Sequence, residues 1–385
     1  MTNTSVNFPA FITDAERSVR RGGLRKKMKG TAHQGAILTP GSNLQYFFGV
    51  QLHESERFIG AVITETEAVF ICPKFEDTSL TAKLNQQYKT LYWEEDEDPY
   101  SLIASYLSAN SVNRCAIDPN CSYEHASRIG DTLDTTIGIG SAQNLISSLR
   151  SYKSDTELAL MTSAKQLTLG VHLTISRWIK PGIACSEVKH QIDRLHRDGG
   201  ADNGSSFCAV QFGEATAHPH GVPGDPVLQP GELILIDTGC TIDGYNSDIT
   251  RTYALDTMSE EVERMWALEK QAQQIAFDRA VPGVACEEID HAARQFLTDH
   301  GLGPDYQLPG VPHRTGHGIG LDIHEGPYLV RGDKTILAPG MCFSNEPMIV
   351  VPDKFGIRLE DHFYITEAGA AWFTEPQQSL YSLTQ

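Results

Sequence analysis

With 385 residues, 40% hydrophobic and 8% aromatic, the chain is longer than one hydrophobic core usually extends, which argues for two domains. A formal net charge of -18 excludes nucleic acid as the natural partner, because phosphate backbones require lysine and arginine gathered on one face. A membrane-spanning role is excluded as well, since no apolar run approaches the ~20 residues that cross a bilayer.

The opening MTNTSVNFPAFITDAERSVRR lacks the basic leader, apolar stretch and small-residue cleavage site of a signal peptide, so the cytoplasm is the expected compartment. Eight cysteines contain no CxxC pair and read as reduced packing residues. The basic run Arg20, Arg21, Arg25, Lys26, Lys27 and Lys29 reads as the solvated face of a helix. From about residue 34 to 150, short apolar runs (GAILT, LQYFFGV, FIGAVIT, AVFICP, RCAID) alternate with polar helical stretches. That is the pattern of a mixed α/β domain, and it holds no clustered chemistry. Ser154 and Asp155 then open a long amphipathic helix, which places the boundary between a first domain, residues 1–152, and a second, residues 153–385.

The second half contains an internal echo. PGIACSEVKH (181–190) returns as PGVACEEIDH (282–291), and LQPGELILID (228–237) returns as LAPGMCFSNE (337–346). Each copy reads helix, Pro-Gly turn, helix, Pro-Gly turn and apolar strand, with an acid, Asp237 or Glu346, at the end of the quoted strand. The pattern predicts an α+β half-barrel of helix, helix and hairpin, folded twice.

Asp237 interrupts the buried strand of GELILID, where an unpaired carboxylate is strongly disfavoured. Asp243-Gly244 is the strongest short hairpin signal, and a turn there sets Asp248 opposite Gly239, on one face with Asp237. The second copy repeats the device, with Glu346 before a turn near Asp353 and Glu360 after it, facing each other. Arg358 shares that face and is placed to orient Glu360 or balance its charge. Any one of these acids alone reads as a capped turn or surface ion pair. Four of them at equivalent places in two hairpins repel one another unless cations sit among them. Oxygen-rich ligation with a single imidazole suits hard to borderline ions, manganese first, then cobalt, zinc or iron.

IDTGCTIDGYNSDITR, HRTGHGIGLDIHE, SNEP and GIRLEDH, in this order, resemble the pita-bread metallopeptidase family of aminopeptidase P, prolidase and methionine aminopeptidase, over roughly residues 153–375. The residues before them resemble the smaller N-terminal domain of prolidase, aminopeptidase P and creatinase, and the motifs look nearest to bacterial prolidase-like members. The resemblance implies two divalent metal ions, with Asp237 a ligand of one, Asp248 and Glu360 shared ligands, His317 the lone imidazole, and Glu346 both ligand and general base. It implies that His220 steadies the peptide or its tetrahedral intermediate, that His324 donates to the scissile carbonyl oxygen, and that His313 recognises the residue after the cleaved bond. His218 is read as a loop residue. His33, His53, His125, His172, His190, His196, His291, His300 and His362 are read as structural.

The implied activity is hydrolysis of the Xaa-Pro bond of dipeptides by a homodimer acting on small peptides. Aminopeptidase P action on longer Xaa-Pro peptides is one alternative. A metal-dependent lyase or amidohydrolase of a small non-peptide compound is another, because ligands alone do not define the bond broken. Creatinase, which has the architecture without metals, is disfavoured because all five ligand types are present. Some dipeptide-specific members place an arginine soon after the second signature histidine to clasp the substrate carboxylate. HEGPYLVRG has Tyr328 there, which leaves Arg331 as a substitute or as a solvated loop residue.

Overall fold

The computed structural model describes residues 11–84, 87–219 and 221–382, which divide into two units, a first of Ile12–Arg150 and a second of Phe11 with the residues from Ser151 onward. In the first, the short runs GAIL, GAVIT, AVFICP and RCAI are rich in strand formers, and each becomes a largely buried strand of one sheet. The strands are β1 (Gly35–Leu38), β2 (Gly60–Thr64), β3 (Ala68–Pro73), β4 (Lys89–Trp93), β5 (Arg114–Ile117) and β6 (Gly138–Ser141), in the spatial order β4-β3-β2-β1-β5-β6. β2 runs antiparallel to both neighbours, and the remaining pairs are parallel. Six helices accompany them: α1 (Asp14–Gly30), α2 (Ser42–Phe48), α3 (Asp77–Lys83), α4 (Pro99–Ala109), α5 (Tyr123–Thr132) and α6 (Gln143–Arg150). Ile103 and Leu107 of α4 and Ile129 of α5 share one apolar cluster with Val62, Ile71 and Ile117 of the sheet.

The basic run on α1 departs from its expected solvated face. Arg20 and Arg21 are buried and donate to the carbonyl oxygens of Tyr46 (3.1 Å) and Phe47 (2.6 Å), while Arg25 donates to that of Thr64 (2.9 Å). The last carbonyls of a helix such as α2 lack partners within it, and a guanidinium reaching from α1 supplies the missing donors. Lys26, Lys27 and Lys29 do face solvent.

The second unit begins with a capping box. The Ser154 hydroxyl accepts from Glu157 N and the Glu157 carboxylate accepts from Ser154 N, so α7 (Asp155–Trp178) starts where the sequence signals it. There follow α8 (Cys185–Asp198), β7 (Ser205–Phe212), β8 (Leu233–Ile242), β9 (Tyr245–Asn246), β10 (Ile249–Ala254), α9 (Glu260–Arg279) and α10 (Cys286–Asp299). The chain closes with β11 (Gly316–Gly318), β12 (Glu325–Leu329), β13 (Cys342–Asn345), β14 (Met348–Val351), β15 (Phe355–Arg358), β16 (Asp361–Thr366) and β17 (Gly369–Trp372). They form the sheets β10-β8-β7, with β9 on β8, and β12-β11-β13-β16-β17, plus the ribbon β14-β15.

The echo in the sequence is an echo in backbone bonding. Gly182 N donates to Leu228 O (2.8 Å) and Gly283 N to Leu337 O (2.9 Å), while Leu228 N and Leu337 N return to Ile183 O (2.9 Å) and Val284 O (2.8 Å). Gly182 and Gly283 hold φ of 93° and 90°, which side chains with a Cβ rarely adopt, and α8 and α10 then start at the equivalent Cys185 and Cys286.

Both hairpins take the register their turns dictate. Asp243 (φ 50°) and Gly244 (φ 79°) reverse the chain, Thr241 pairs with Asn246 and Asp237 with Thr250, so Asp248 stands across from Gly239. Pro352 and Asp353 (φ 58°) make the second turn, where Met348 pairs with Arg358 and Asn345 with Asp361, so Glu346 stands across from Glu360. Among the described residues no helix is long and apolar enough to cross a membrane.

Two buried histidines tie α7 and α8 to their surroundings. His172 Nε2 donates to Ile249 O (3.0 Å), and the His196 ring joins the hydroxyls of Thr168 (3.0 Å) and Ser205 (2.9 Å). Burial pushes His172 down to about 3 and His196 down to about 4. Both are neutral in the folded chain but take a proton near 6.5 when unfolded, so below that pH the unfolded state binds more protons and stability is lost as the pH falls from about 6.5 toward 4. The urea midpoint is expected to drop across this window, and to drop less steeply in His172→Leu; an equal slope in the variant would contradict the assignment.

Candidate metal centre

The two hairpins bring their acids together. Asp237 lies in β8, Asp248 immediately before β10, Glu346 between β13 and β14, and Glu360 between β15 and β16. The hairpins are stitched to each other: Glu360 N donates to Thr250 O (3.0 Å), the Thr250 hydroxyl donates to Glu360 Oε2 (2.7 Å), and the Thr252 hydroxyl donates to Arg358 O (2.8 Å). Asp248 is 4% exposed and Glu360 1%.

β11 supplies the imidazole. A Cβ on Gly316 would stand 2.1 Å from the Ser344 carbonyl oxygen and one on Gly318 2.5 Å from that of Glu325, so the strand lies closer to its neighbours than any other residue allows. His317 is 1% exposed, and its Nδ1 lies 2.9 Å from the Gly318 carbonyl oxygen. A carbonyl only accepts, so Nδ1 carries the proton and Nε2 carries a lone pair. That lone pair faces Glu346 Oε1 at 3.4 Å and Asp248 Oδ2 at 3.7 Å.

Electrostatics make this arrangement untenable for protein atoms alone. Burial first, and then repulsion among the acids, pushes Asp248 and Glu360 well above the usual carboxylate range. Burial also raises Glu346 to about 7, against the opposing pull of Arg358. The imidazole is not the compensating cation, because burial holds His317 well below its ordinary value. Asp237 Oδ1, Asp248 Oδ1 and Glu360 Oε1 are buried without hydrogen-bond partners among the described residues. Orphaned oxygens beside an imidazole lone pair fit divalent cations, which accept both donor types. Donor atoms of His317, Glu346 and Glu360 lie within 4.8 Å of one another, as do those of Asp248, His317 and His324.

The remaining predicted residues are distributed as follows. Arg358 is buried but does not bond Glu360: its Nη2 lies 2.5 Å from Asp237 Oδ2 and its Nε donates to the Thr250 hydroxyl (3.0 Å), because the long side chain reaches across to the first hairpin. His324 packs edge-on against His317, with ring centroids 4.2 Å apart. His313 Nδ1 donates to Arg314 O (2.8 Å), and burial pushes its pKa down to about 4. His220 lies outside the described residues. Arg331 does not line the cleft; it is exposed and pairs with Asp305 at 2.6 Å, carried away by the turn in which Asp333 N donates to Val330 O.

Asp237, Asp248, His313, His324, Glu346, Arg358 and Glu360 line a cleft of about 860 Å³, walled also by Phe207, Tyr306, Ile323 and Arg314. Arg314 has no role in the sequence reading, although it stands beside His313 in the signature. Its guanidinium sits 4.4 Å over the ring of Tyr328, with no carboxylate hydrogen-bonded to it among the described residues.

The family model described as "Metallopeptidase family M24" matches residues 159–367. The chain belongs to this family. A second model, "Creatinase/Prolidase N-terminal domain", matches residues 20–152. The putative dipeptidase YkvY of Bacillus subtilis is 31% identical over 92% of this chain and 97% of its own length. The Xaa-Pro dipeptidase of Lactobacillus helveticus is 30% identical over 93% and 97%. The crystal structure of dipeptidase PepE from Mycobacterium ulcerans is similar with a TM-score of 0.88 at 30% identity, covering 95% of this chain and 97% of that one. The pita-bread α+β domain and the mixed α/β creatinase-like domain expected from the motifs are both present. As an M24 member the chain is a metallopeptidase of a family that implies divalent metal ions, and the donor groups described above are candidates to hold them.

Ions held only by the folded chain stabilise it. Adding manganese to chelator-treated protein is therefore expected to raise the thermal midpoint, and Asp248→Ala to remove most of that rise; a wild-type midpoint indifferent to divalent ions would show that the cluster holds none.

Proposed function

We propose that this M24 protein hydrolyses the Xaa-Pro bond of dipeptides. The observation that carries the reading is the unprotonated Nε2 of His317 facing the carboxylates of Asp248 and Glu346, which line the cleft. Similarity to the Xaa-Pro dipeptidase of Lactobacillus helveticus over nearly the whole of both chains supports the substrate class. Asp237, Asp248, His317, Glu346 and Glu360 are the residues that hold two divalent ions, manganese first by the excess of carboxylate oxygen, then cobalt, zinc or iron. When bound, such ions supply Lewis acidity to water and to the scissile carbonyl.

The side chains divide the remaining work. Glu346 takes the proton of the attacking water and returns it to the leaving amine. His324, in the cleft beside His317, donates to the carbonyl oxygen as negative charge develops there. Arg358 holds Asp237 in place. His220 steadies the peptide, and His313, with a buried unpartnered Nε2, recognises the residue after the cleaved bond. Arg314 receives the substrate carboxylate: it is half-buried in the cleft, braced on Tyr328, and bonds no carboxylate among the described residues, whereas Arg331 is paired elsewhere. The free cysteines, six of eight buried, support a cytoplasmic setting, and a homodimer is proposed from the family resemblance.

With manganese, Ala-Pro is expected to be cleaved in preference to Ala-Pro-Ala and Ala-Ala, and activity on none of them would end the peptidase assignment. Glu346→Gln should keep its metal, measured by elemental analysis, and lose most turnover; undiminished kcat would remove Glu346 as the base. Arg314→Met should raise KM for Ala-Pro roughly 10- to 100-fold, the ~1.5–3 kcal/mol of a hydrogen bond to a charged group, with kcat little changed. An unaltered KM would assign the carboxylate to another residue.

A further inference from the structure

His362 lies two residues beyond Glu360 in β16 and so shares its side of the strand. It is 1% exposed, and neither ring nitrogen has a hydrogen-bond partner among the described residues. Buried imidazoles ordinarily satisfy at least one nitrogen, so this ring asks for an explanation. What it faces is acid: one ring nitrogen and one oxygen from each of Asp248 and Glu360 lie within 4.8 Å of one another.

The spacing separates two roles. An imidazole that merely oriented a carboxylate would donate a hydrogen bond to it, and His362 donates none. Two donors at about 2.1 Å from a shared ion stand up to about 4.2 Å apart, so a small inward movement closes these three atoms around one cation. Glu360 also belongs to the group formed with His317 and Glu346. The cluster therefore contains two donor groups that share Glu360, each with an imidazole of its own.

We propose that His362 is a sixth protein ligand of the metal centre, binding the cation held by Asp248 and Glu360. The inference rests on the metallopeptidase reading and goes beyond its five ligands, which supply a single imidazole to two ions. A second imidazole strengthens the grip on cobalt and zinc relative to manganese.

Calorimetric titration of the metal-stripped full chain with Co(II) tests this, comparing wild type with His362→Val and His362→Gln after circular dichroism has checked their folding. Wild type is expected to take up two ions, and the variants to hold one of them more weakly by over roughly tenfold, beyond the lower limit for a residue that only orients a ligand. Anomalous diffraction from cobalt-loaded wild-type crystals should place a His362 nitrogen within about 2.3 Å of an ion. Unchanged affinities in a folded variant, or a His362 ring more than about 3 Å from every ion, overturns the inference while the metallopeptidase reading stands. A wild-type chain that binds no cobalt removes both. Should neither variant fold, the wild-type crystal decides by the same distance.

Discussion

Carboxylates buried side by side, with an imidazole lone pair turned toward them, are the constraint that the second unit is built to bear. Left to relax, such groups would separate, take up protons or draw in water, since desolvation and mutual repulsion act in the same direction. They are prevented by a frame with little freedom. Thr250 and Thr252 lock one hairpin to the other, and Arg251 and Asp361 form a fully buried pair at 2.6 Å behind it. Gln273 bonds the carbonyls of Asn345 and Leu359 from α9. Slipping either hairpin by one residue would turn its acid to the opposite face, so the turns at Asp243-Gly244 and Pro352-Asp353 are as necessary to the chemistry as the acids are.

Compensation by fixed positive charge is partial. Among the acids Arg358 hydrogen-bonds only Asp237, and Lys165, held on the Asn246 carbonyl at 3.0 Å, is pushed down to about 8 by burial. Neither gives the orphaned oxygens of Asp248 and Glu360 a bond. Divalent ions meet the charge and the bonding requirement together, which is why the donor set is better explained by metal than by protonation. The duplicated scaffold serves the same end. Each copy contributes one hairpin with an acid on either side of its turn, and the two pairs meet because the copies face each other across β10 and β15.

The substrate recognition proposed here draws on different material. The cleft above the acids is walled by aromatic and aliphatic groups, with Arg314 braced on Tyr328 and His313 and His324 at hand. A guanidinium resting on an aromatic ring is held in place without being neutralised, so it retains its full charge for a ligand. Arg358, by contrast, is consumed inside the centre.

The sequence alone determined the strands, the capped α7, the two turns and, through them, which acids face which. These follow from interactions spanning a few residues: a capping box, a φ that glycine or aspartate accepts, and the two-residue period of a strand. Only the tertiary structure decided where the long side chains end. Arg20 and Arg21 turn inward to the carbonyls of α2, Arg358 crosses to Asp237, Arg331 swings out to Asp305, and Arg314 takes the place on Tyr328. The unbonded ring of His362 belongs with these, since it stands on the face of Glu360 that the alternation of β16 provides, but the Asp248 carboxylate it faces comes from the first hairpin. A long or aromatic side chain chooses its partner by what packs within its reach, and that is a property of the assembled fold rather than of neighbouring residues in the chain.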